Sequence, residues 1–292
     1  MTSRIVKILK KIFYGRNIIT PVYIPVLSGK LLDNKVALIT GGTRGIGYAI
    51  AKSYIDNGAT VCITGRSKES VECACAQLKN ATSSESIIGI AMDISKPDLE
   101  KPFNEILEAL KEKGFSPHID ILVNNAGINM GGFFGNVTSD IIDNVFATNL
   151  RGVFILSQIV ARHMKECNIK GNILNIASSS SLRPAAWPYS VSKWGIRGLT
   201  LGMAKTLISD GIIVNGLAPG RTATSMQDKS EDSGLELESS LIGRMIDPME
   251  IANMATILVS PLGRTIVGDI VYMTAGDGVI TVDDINYEFK QK

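Results

Sequence analysis

Short apolar runs alternate with amphipathic stretches along this chain from about residue 35 onward. In seven of the runs the apolar residues stand at consecutive positions rather than at every second position, which is typical of strands buried on both faces. The predicted strands cover 36–40, 60–64, 87–92, 120–124, 172–176, 212–217 and 269–273. Between them, apolar residues recur at helical spacing, and the predicted helices cover about 45–57, 98–113, 138–166, 189–209 and 248–259.

The strict alternation of strand and helix predicts an α/β fold with a doubly wound, parallel, seven-stranded sheet and helices on both faces. No internal repeat or Pro/Ser-rich linker interrupts it, so residues 31–279 are predicted to form one domain that carries every binding site. Residues 1–30 form an N-terminal extension, and residues 280–292 form a C-terminal extension whose purpose the sequence does not indicate.

Composition excludes several function classes. The 292 residues are 45% hydrophobic and 20% charged, as in an ordinary globular protein with a sizeable core. The net charge of +2 gives no electrostatic case for nucleic-acid binding. Four cysteines show no C-x-x-C spacing, which favours reduced thiols and a cytoplasmic protein. We predict no metal site; His163, Glu166 and Cys167 share a helix face but lack a matching ligand set.

A glycine-rich turn, T-G-G-T-R-G-I-G at residues 40–47, joins the first strand to the first helix. Gly41, Gly45 and Gly47 permit a tight turn and a close approach of backbone to phosphate, and the helix N-terminus favours negative charge. The spacing G-x-x-x-G-x-G differs from the commoner G-x-G-x-x-G. It predicts a dinucleotide site of the Rossmann type at the carboxyl ends of the strands.

A second pair of residues, Tyr189 and Lys193, stands one helical turn apart in the sequence. An ammonium group about 5 Å from a phenol is worth about 3 kcal/mol at an effective dielectric near 20, or about two pKa units. We therefore expect a lowered pKa for Tyr189, which makes it a general acid or base near neutral pH.

Charges at the end of the second predicted strand bear on the choice of cofactor. NAD-binding proteins place an acidic residue there, but this chain has Gly65 followed by Arg66 and Ser67. Arg44 in the glycine turn adds a second guanidinium group, which suits a 2′-phosphate. The sequence predicts NADP(H) in preference to NAD(H); two solvated arginines are the alternative.

Taken together, these motifs resemble the short-chain dehydrogenase/reductase family over residues 35–278. The matches occur in family order: T-G-x-x-x-G-x-G at 40–47, Asp93, N-N-A-G at 124–127, Asn149, a serine cluster at 178–181, Tyr189 with Lys193, and Pro219-Gly220 followed by Thr224. The resemblance implies a catalytic tetrad of Asn149, a serine, Tyr189 and Lys193.

The resemblance also assigns cofactor contacts. It implies that Asp93 binds the adenine side, that the N-N-A-G turn lines the adenine ribose, that Lys193 holds ribose hydroxyls, and that Thr224 contacts the nicotinamide amide. The predicted cofactor-binding residues are Gly41, Thr43, Arg44, Gly45, Ile46, Gly47, Arg66, Ser67, Asp93, Ile94, Asn125, Ala126, Gly127, Tyr189, Lys193, Pro219, Gly220, Thr222 and Thr224.

The position of the catalytic serine departs from the family pattern. The family usually places it about thirteen residues before the tyrosine, which here is Ile176. Counting from the end of the fifth strand selects Ser178 instead, with a shorter loop. Ser179 and Ser180 are the alternatives.

The implied function is NADP(H)-dependent interconversion of a carbonyl and a secondary alcohol, by hydride transfer with Tyr189 as general acid or base. The small-molecule substrate stays open between a 3-oxoacyl thioester and a sugar or steroid alcohol, since the segments that choose it, 129–135 and 225–244, carry no diagnostic pattern. A dinucleotide-sensing regulator without catalysis is an alternative of another class, although a sensor needs no proton donor. A homodimer or homotetramer is expected.

The N-terminal extension is basic and amphipathic. Five basic residues lie between residues 4 and 16, and no acid precedes Asp33. Apolar residues recur at helical spacing between residues 5 and 13. No stretch there is long enough to span a membrane. Residues 1–16 are predicted either to pack on the protein itself or a neighbouring subunit, or to lie on an anionic membrane surface as a peripheral contact.

Overall fold

The computed structural model describes residues 29–224, 235, 237 and 240–277. Its centre is one seven-stranded sheet in which every neighbouring pair is parallel. The strands are β1 (Val36–Ile39), β2 (Thr60–Gly65), β3 (Ile87–Ala91), β4 (Ile121–Asn124), β5 (Asn172–Ile176), β6 (Ile213–Pro219) and β7 (Ile270–Met273). Each predicted strand overlaps an observed one, and the predicted parallel doubly wound sheet is confirmed.

Helices fill the connections between the strands. They are α1 (Gly45–Asp56), α2 (Lys68–Thr82), α3 (Glu100–Glu112), α4 (Ser139–Phe146), α5 (Val153–Glu166), α6 (Pro188–Leu207) and α7 (Pro248–Val259). The predicted helix at 138–166 is in fact two α-helices joined by a π-helical segment, Ala147–Gly152. No helix bounds were predicted from the sequence for α2, because its apolar stripe is narrow. The buried residues of α2 are Val71, Ala74 and Leu78.

The core forms two layers, one on each face of the sheet. Side chains alternate along β1, so Ala37 and Ile39 belong to one layer while Val36 and Leu38 belong to the other. The first layer is completed by buried residues of α1, α2 and α7, and the second by buried residues of α3 and α5. The prediction of helices on both faces is therefore confirmed.

The strand order β3-β2-β1-β4-β5-β6-β7 reverses direction between β1 and β4. In open α/β sheets, ligands bind at the carboxyl ends of the strands next to such a reversal. The glycine-rich turn follows β1, and the loop that begins at Asn125 follows β4. The fold thus brings these two segments together at one edge of the sheet.

Several predicted segments lie outside the described residues. These are residues 1–16 of the basic extension, the C-terminal extension at 280–292, and most of the substrate segment at 225–244. Among the residues that the structure describes, no helix combines the length and apolar character needed to cross a membrane.

Candidate active site

The glycine-rich turn adopts the conformation that its sequence indicates. Gly41 and Gly45 have φ angles of +63° and +55°, a region that side chains rarely adopt. A Cβ added to Gly41 would lie 2.9 Å from the Cα of Ala126, and one added to Gly47 would overlap the carbonyl oxygen of Gly41. All three glycines are therefore required by the local geometry, whether or not a ligand is bound.

The loop after β4 supports this turn through hydrogen bonds. The Nδ2 of Asn125 donates to the carbonyl oxygens of Thr40 at 2.9 Å and Gly41 at 3.0 Å. In return, the Oγ1 of Thr40 accepts from the backbone N–H groups of Asn125 at 3.0 Å and Ala126 at 3.1 Å. The Asn125 side chain thus braces the glycine turn, a role that the sequence did not indicate.

The segments that follow β1, β2 and β3 carry the charges of one side of the cleft. Arg44 and Arg66 are both exposed and line it. Partial burial opposes the ionisation of Asp93. Two hydrogen bonds from Ser95 to the Oδ1 of Asp93, one from its backbone N–H at 3.0 Å and one from its hydroxyl at 2.7 Å, favour the ionised form. Together with the nearby cations Lys96 and Arg66, they lower the pKa of Asp93. Asp93 is thus an ionised acceptor at neutral pH.

Gly65 has little room for a side chain. A Cβ at this position would lie 2.7 Å from the Cγ2 of Thr43 and 3.1 Å from that of Val71. An acidic residue here would therefore have to displace Thr43, which itself lines the cleft. Position 65 therefore lacks the carboxylate of NAD-binding proteins, and a side chain there would require Thr43 to move.

Tyr189 and Lys193 occupy adjacent turns of α6. The Nζ of Lys193 lies 5.6 Å from the centre of the Tyr189 ring and donates to the carbonyl oxygen of Ile176 at 2.7 Å. Lys193 is only 5% exposed. Burial penalises its charged form and lowers the pKa of Lys193 to about 8. The ammonium group is thus still the main form at neutral pH.

The prediction of a lowered pKa for Tyr189 is wrong for this structure. Burial is the largest influence and raises the pKa of Tyr189, while a hydrogen bond with Ser178 lowers it only in part. The neighbouring ammonium group is evident from the sequence, whereas the loss of water around the phenol is not. Tyr189 therefore holds its proton at neutral pH, which is the state that carbonyl reduction requires.

Ser178 is the serine of the cluster that forms a hydrogen bond with Tyr189. Its Oγ also accepts the N–H of Ser180 at 3.1 Å, which starts a short 3-10 helix, Ser179–Leu182. Ser181 is turned away: its hydroxyl donates to the carbonyl oxygen of Ser178 at 2.8 Å and lies 3.2 Å from the phenol oxygen of Tyr272. The geometry places Ser178, rather than its neighbours, beside the phenol.

Asn149 lies inside the π-helical segment and is 1% exposed. Its Oδ1 accepts the N–H of Ile128 at 2.8 Å, and its Nδ2 donates to the carbonyl oxygen of Ile128 at 2.9 Å. The same Nδ2 is 3.1 Å from the Oγ of Ser192 on α6. Asn149 therefore connects the loop after β4 to the helix that carries Tyr189.

The segment after β6 completes the site. Thr222 is buried, its hydroxyl donates to the carbonyl oxygen of Gly220 at 3.1 Å, and it pairs with Ile246 through a β-bridge. Thr224 stands over the glycine turn, since a Cβ on Gly45 would lie 3.2 Å from its Cγ2. Both threonines line the same cleft as the glycine turn.

These groups border one cleft of about 1240 Å³ at the carboxyl edge of the sheet. Every residue predicted to contact the cofactor lines it, as do Ser178, Tyr189 and Lys193. Asn149 does not line the cleft but is buried behind it. Within the described residues, no group of three or more His, Cys, Asp or Glu side chains could hold a metal ion.

Other residues that were not predicted from the sequence also line the cleft. They include Ser70, Ser95, Lys96, Arg183, Trp187, Arg221 and Asp277. Lys96 and Ser95 follow Asp93 directly, so their position after the third strand could have indicated them. Arg183, Arg221 and Asp277 lie in three different loops, and no spacing in the sequence relates them.

A parallel doubly wound sheet, a glycine turn at its reversal point and a Ser-Tyr-Lys group in the same cleft define a dinucleotide-dependent oxidoreductase. The sequence model of the short chain dehydrogenase family matches residues 35–234. The chain therefore belongs to the short-chain dehydrogenase/reductase family, whose members interconvert carbonyls and alcohols with a nicotinamide cofactor.

Known proteins are similar over nearly the same range. A 3alpha-hydroxysteroid dehydrogenase of Mediterraneibacter gnavus is 36% identical over 82% of this chain and 95% of its own length. The crystal structure of a 3-ketoacyl-(acyl-carrier-protein) reductase from Brucella melitensis with NADH has a TM-score of 0.74 and 30% identity, covering 85% of this chain and all of that one. A Burkholderia cenocepacia short chain dehydrogenase with NADP has a TM-score of 0.70 and 32% identity, covering 84% and 98%.

Proposed function

We propose that this enzyme reduces a carbonyl compound with NADPH, with Tyr189 as the proton donor. The observation that carries the proposal is the hydrogen bond between Ser178 and a Tyr189 phenol that keeps its proton, within the cleft that the glycine turn borders. A protonated phenol can deliver a proton to a carbonyl oxygen as negative charge develops there.

Each residue of the group has a distinct part in this reaction. The bound nicotinamide supplies the hydride. The Ser178 hydroxyl orients the phenol of Tyr189 and donates to the substrate oxygen, as an oxyanion-hole donor does. The Lys193 ammonium group stabilises the phenolate left after proton transfer and can bind ribose hydroxyls. Asn149 fixes the backbone of Ile128 and, through Ser192, the helix that holds Tyr189.

Replacement of the proton donor tests the chemistry. We expect Tyr189→Phe to lower kcat about a thousandfold, because an alkoxide would be left without its proton. Ser178→Ala should lower kcat about a hundredfold, whereas Ser180→Ala should stay near the wild type. Cofactor affinity should hardly change in the three variants.

Tyr272→Phe is the matched control, because it removes a phenol that contacts Ser181 but does not line the cleft. Turnover should be measured as NADPH absorbance over a panel of carbonyl compounds. If Tyr189→Phe retains more than about a tenth of the wild-type turnover, the assignment of the proton donor is wrong.

The preference for NADP(H) rests on charge and space at one end of the cleft. Arg44 and Arg66 both line it, and Gly65 stands where NAD-binding proteins have an acidic residue, with little room for a side chain. Similar proteins have been crystallised with NADH and with NADP, so the family alone does not decide the choice. The guanidinium groups favour a 2′-phosphate.

Titration of both cofactors against tryptophan fluorescence tests this preference. Arg66→Gln should weaken NADP(H) binding about tenfold and leave NAD(H) binding nearly unchanged, because only NADP(H) carries the 2′-phosphate. Arg162→Gln, which removes an exposed arginine paired with Glu100 outside the cleft, is the control. Equal or tighter NAD(H) binding by the wild type would contradict the preference.

Two substrate classes are favoured by the similar proteins, a hydroxysteroid and a 3-oxoacyl thioester. Trp187 lines the cleft two positions before Tyr189, and its ring packs edge-on against Phe133 with centroids 5.9 Å apart. This aromatic wall suits a substrate with a broad apolar body. A panel of 3-oxosteroids and 3-oxoacyl thioesters compared by kcat/KM would separate the two classes. A regulator without catalysis would turn over neither.

A homo-oligomer is the proposed assembly. Large apolar side chains are exposed on α5 and α6: Phe154, Val191, Trp194 and Leu201 are between 41% and 49% exposed. Apolar surface on neighbouring helices is typical of subunit interfaces, and a second copy of this chain is the occupant that closed symmetry favours. Light scattering should give a multiple of 31.4 kDa, and Leu201→Glu should lower it.

A further inference from the structure

A short segment of chain carries the serine that is proposed to act beside Tyr189. It begins at Ser178, forms the 3-10 helix Ser179–Leu182 and ends at Arg183. We call residues 178–183 the serine segment. It follows β5 and contacts α6, the helix that carries Tyr189. Because the serine hydroxyl and the phenol act on the same substrate oxygen, the position of this segment relative to α6 bears directly on the reaction.

Arg197 holds the middle of the serine segment. It stands four positions after Lys193 and eight after Tyr189, so the three side chains follow one face of α6. The Nη1 of Arg197 donates to the carbonyl oxygen of Ser181 at 3.2 Å. Ser181 in turn donates to the carbonyl oxygen of Ser178, from its N–H at 3.0 Å and from its hydroxyl at 2.8 Å. One residue thus connects the guanidinium group to Ser178.

Trp194, also on α6, supports both Arg197 and the end of the serine segment. The guanidinium carbon of Arg197 lies 5.2 Å from the centre of the indole ring, a cation–π contact that restricts the arginine side chain. The Nε1 of Trp194 donates to the carbonyl oxygen of Arg183 at 2.9 Å. The Nη2 of Arg183 also donates to the Oδ1 of Asp277 at 2.7 Å, so this end keeps one support if the other is lost. Arg197 is therefore the more informative residue to replace.

These contacts fix the serine segment against a single helix. It meets Tyr189 at its start, Arg197 in its middle and Trp194 at its end. Neither Arg197 nor Trp194 lines the cleft, so an effect of either residue on the reaction has to pass through the segment. The hydrogen bond from a guanidinium group to a carbonyl oxygen is charge-assisted, which makes it stronger than a neutral one.

We infer that Arg197 is a positioning residue, which holds the serine segment so that the Ser178 hydroxyl stays at hydrogen-bond distance from the Tyr189 phenol. Trp194 assists by stacking on the guanidinium group. The inference rests on the proposed function for the part of Ser178 in turnover, whereas the hydrogen bond between Ser178 and Tyr189 needs no substrate. Loss of Arg197 should therefore affect the reaction only through Ser178.

A double-mutant cycle measures whether Arg197 acts through Ser178. We expect Arg197→Met, which removes every donor of the side chain, to lower kcat about tenfold, because displacing a reacting group by about 1 Å can cost up to about a hundredfold in rate. In the Ser178→Ala background the same change should alter kcat by less than about twofold, since the hydroxyl that it positions is already absent. Arg197→Lys keeps a cation and should restore part of the wild-type kcat.

Two control variants separate this effect from a general loss of hydrogen bonds. Lys170→Met removes a cation that donates to the carbonyl oxygen of Asp210 at 3.0 Å, outside the cleft, and should leave kcat near the wild type. Tyr272→Phe removes the phenol beside the Ser181 hydroxyl but leaves the Ser181 carbonyl oxygen paired with Arg197, and should also stay near the wild type.

NMR of isotope-labelled tyrosine rings gives a readout that needs no turnover. The signal of Tyr189 is assigned by its absence in Tyr189→Phe. Ser178→Ala should shift this signal because it removes the hydrogen bond to the phenol. Arg197→Met should shift it in the same direction, but should leave it unchanged in the Ser178→Ala background.

Two results would overturn the inference. An equal loss of kcat from Arg197→Met in both backgrounds would mean that the arginine acts on something other than Ser178. A wild-type kcat together with an unchanged Tyr189 signal would mean that the serine segment keeps its position without Arg197. If the wild type reduces no carbonyl compound but the NMR signal shifts as expected, Arg197 still positions Ser178 and the proposed reaction is wrong.

Discussion

At the scale of single residues, Lys193 combines function with a cost to stability. Its ammonium group is buried beneath the cleft, and the pKa of Lys193 falls from about 10.5 to about 8. A shift of this size corresponds to about 3 kcal/mol of unfavourable burial of the charged form. A residue kept in the site for its charge therefore weakens the folded protein without ligand, as is common for catalytic groups.

Lys193→Met should therefore abolish turnover and yet raise the free energy of unfolding at pH 7. Loss of the hydrogen bond to Ile176 offsets part of the gain. Below pH 8 the lysine is protonated in both states, so the full cost is present. Between pH 8 and about 10.5 the folded state releases the proton first, so wild-type stability rises and the advantage of the variant shrinks. Urea unfolding without cofactor at pH 7 and pH 10 measures both effects.

A variant that is less stable than the wild type at pH 7, or a stability difference that grows with pH, would contradict this account of Lys193.

Some properties of single residues could not be predicted from the sequence. The sequence identified Tyr189 and Lys193 from their spacing, but the direction of the Tyr189 pKa depends on burial, which one sequence does not show. Arg183, Arg221 and Asp277 were not predicted as cleft residues, because they lie in three loops far apart in the chain.

At the scale of elements, the π-helical segment directs Asn149 toward the loop after β4. The extra residue in a π-turn changes which side chains face inward, and such segments are frequent at functional sites. Asn149 satisfies both the N–H and the carbonyl oxygen of Ile128 and reaches Ser192. One amide therefore fixes the distance between the glycine-turn side of the cleft and α6.

Asn149→Leu should lower the free energy of unfolding by about 2–4 kcal/mol, because it leaves two polar backbone groups of Ile128 without their partner. It should also lower turnover, since α6 loses its connection through Ser192. Asn80→Leu, at an exposed position of α2, is the control and should change stability by less than about 0.5 kcal/mol. Urea unfolding followed by circular dichroism measures both. Equal stabilities for the two variants would show that Asn149 has no structural role.

Strands were predicted from the sequence more accurately than helices, for a physical reason. A strand buried on both faces is apolar at consecutive positions, so β1 appears as an uninterrupted apolar run. Helix α2 buries only a narrow stripe of three residues, Val71, Ala74 and Leu78, and its boundaries were not identified. The π-helical segment keeps the helical alternation of apolar and polar residues, so periodicity alone could not separate 138–166 into three parts.

At the scale of the whole molecule, positive charge is concentrated in the cleft. The described residues that line it include six basic side chains and two acidic ones, a net charge of +4. The whole chain carries only +2, so the remainder is net negative. A cleft of one sign within a surface of the other attracts anionic ligands and raises their association rates. The two acidic residues, Asp93 and Asp277, lie at opposite ends of the cleft.

Raising ionic strength should therefore weaken ligand binding in proportion to ligand charge. NADPH carries a 2′-phosphate that NADH lacks, so its Kd should increase more steeply between 0.05 M and 0.5 M salt, by about tenfold against about threefold. Arg66→Gln should bring the NADPH slope close to that of NADH, while Arg162→Gln should leave it unchanged. Fluorescence titration at four salt concentrations gives the slopes. Parallel slopes for both cofactors in the wild type would mean that no cation of the cleft reaches the 2′-phosphate, and the preference for NADP(H) would lose its physical basis.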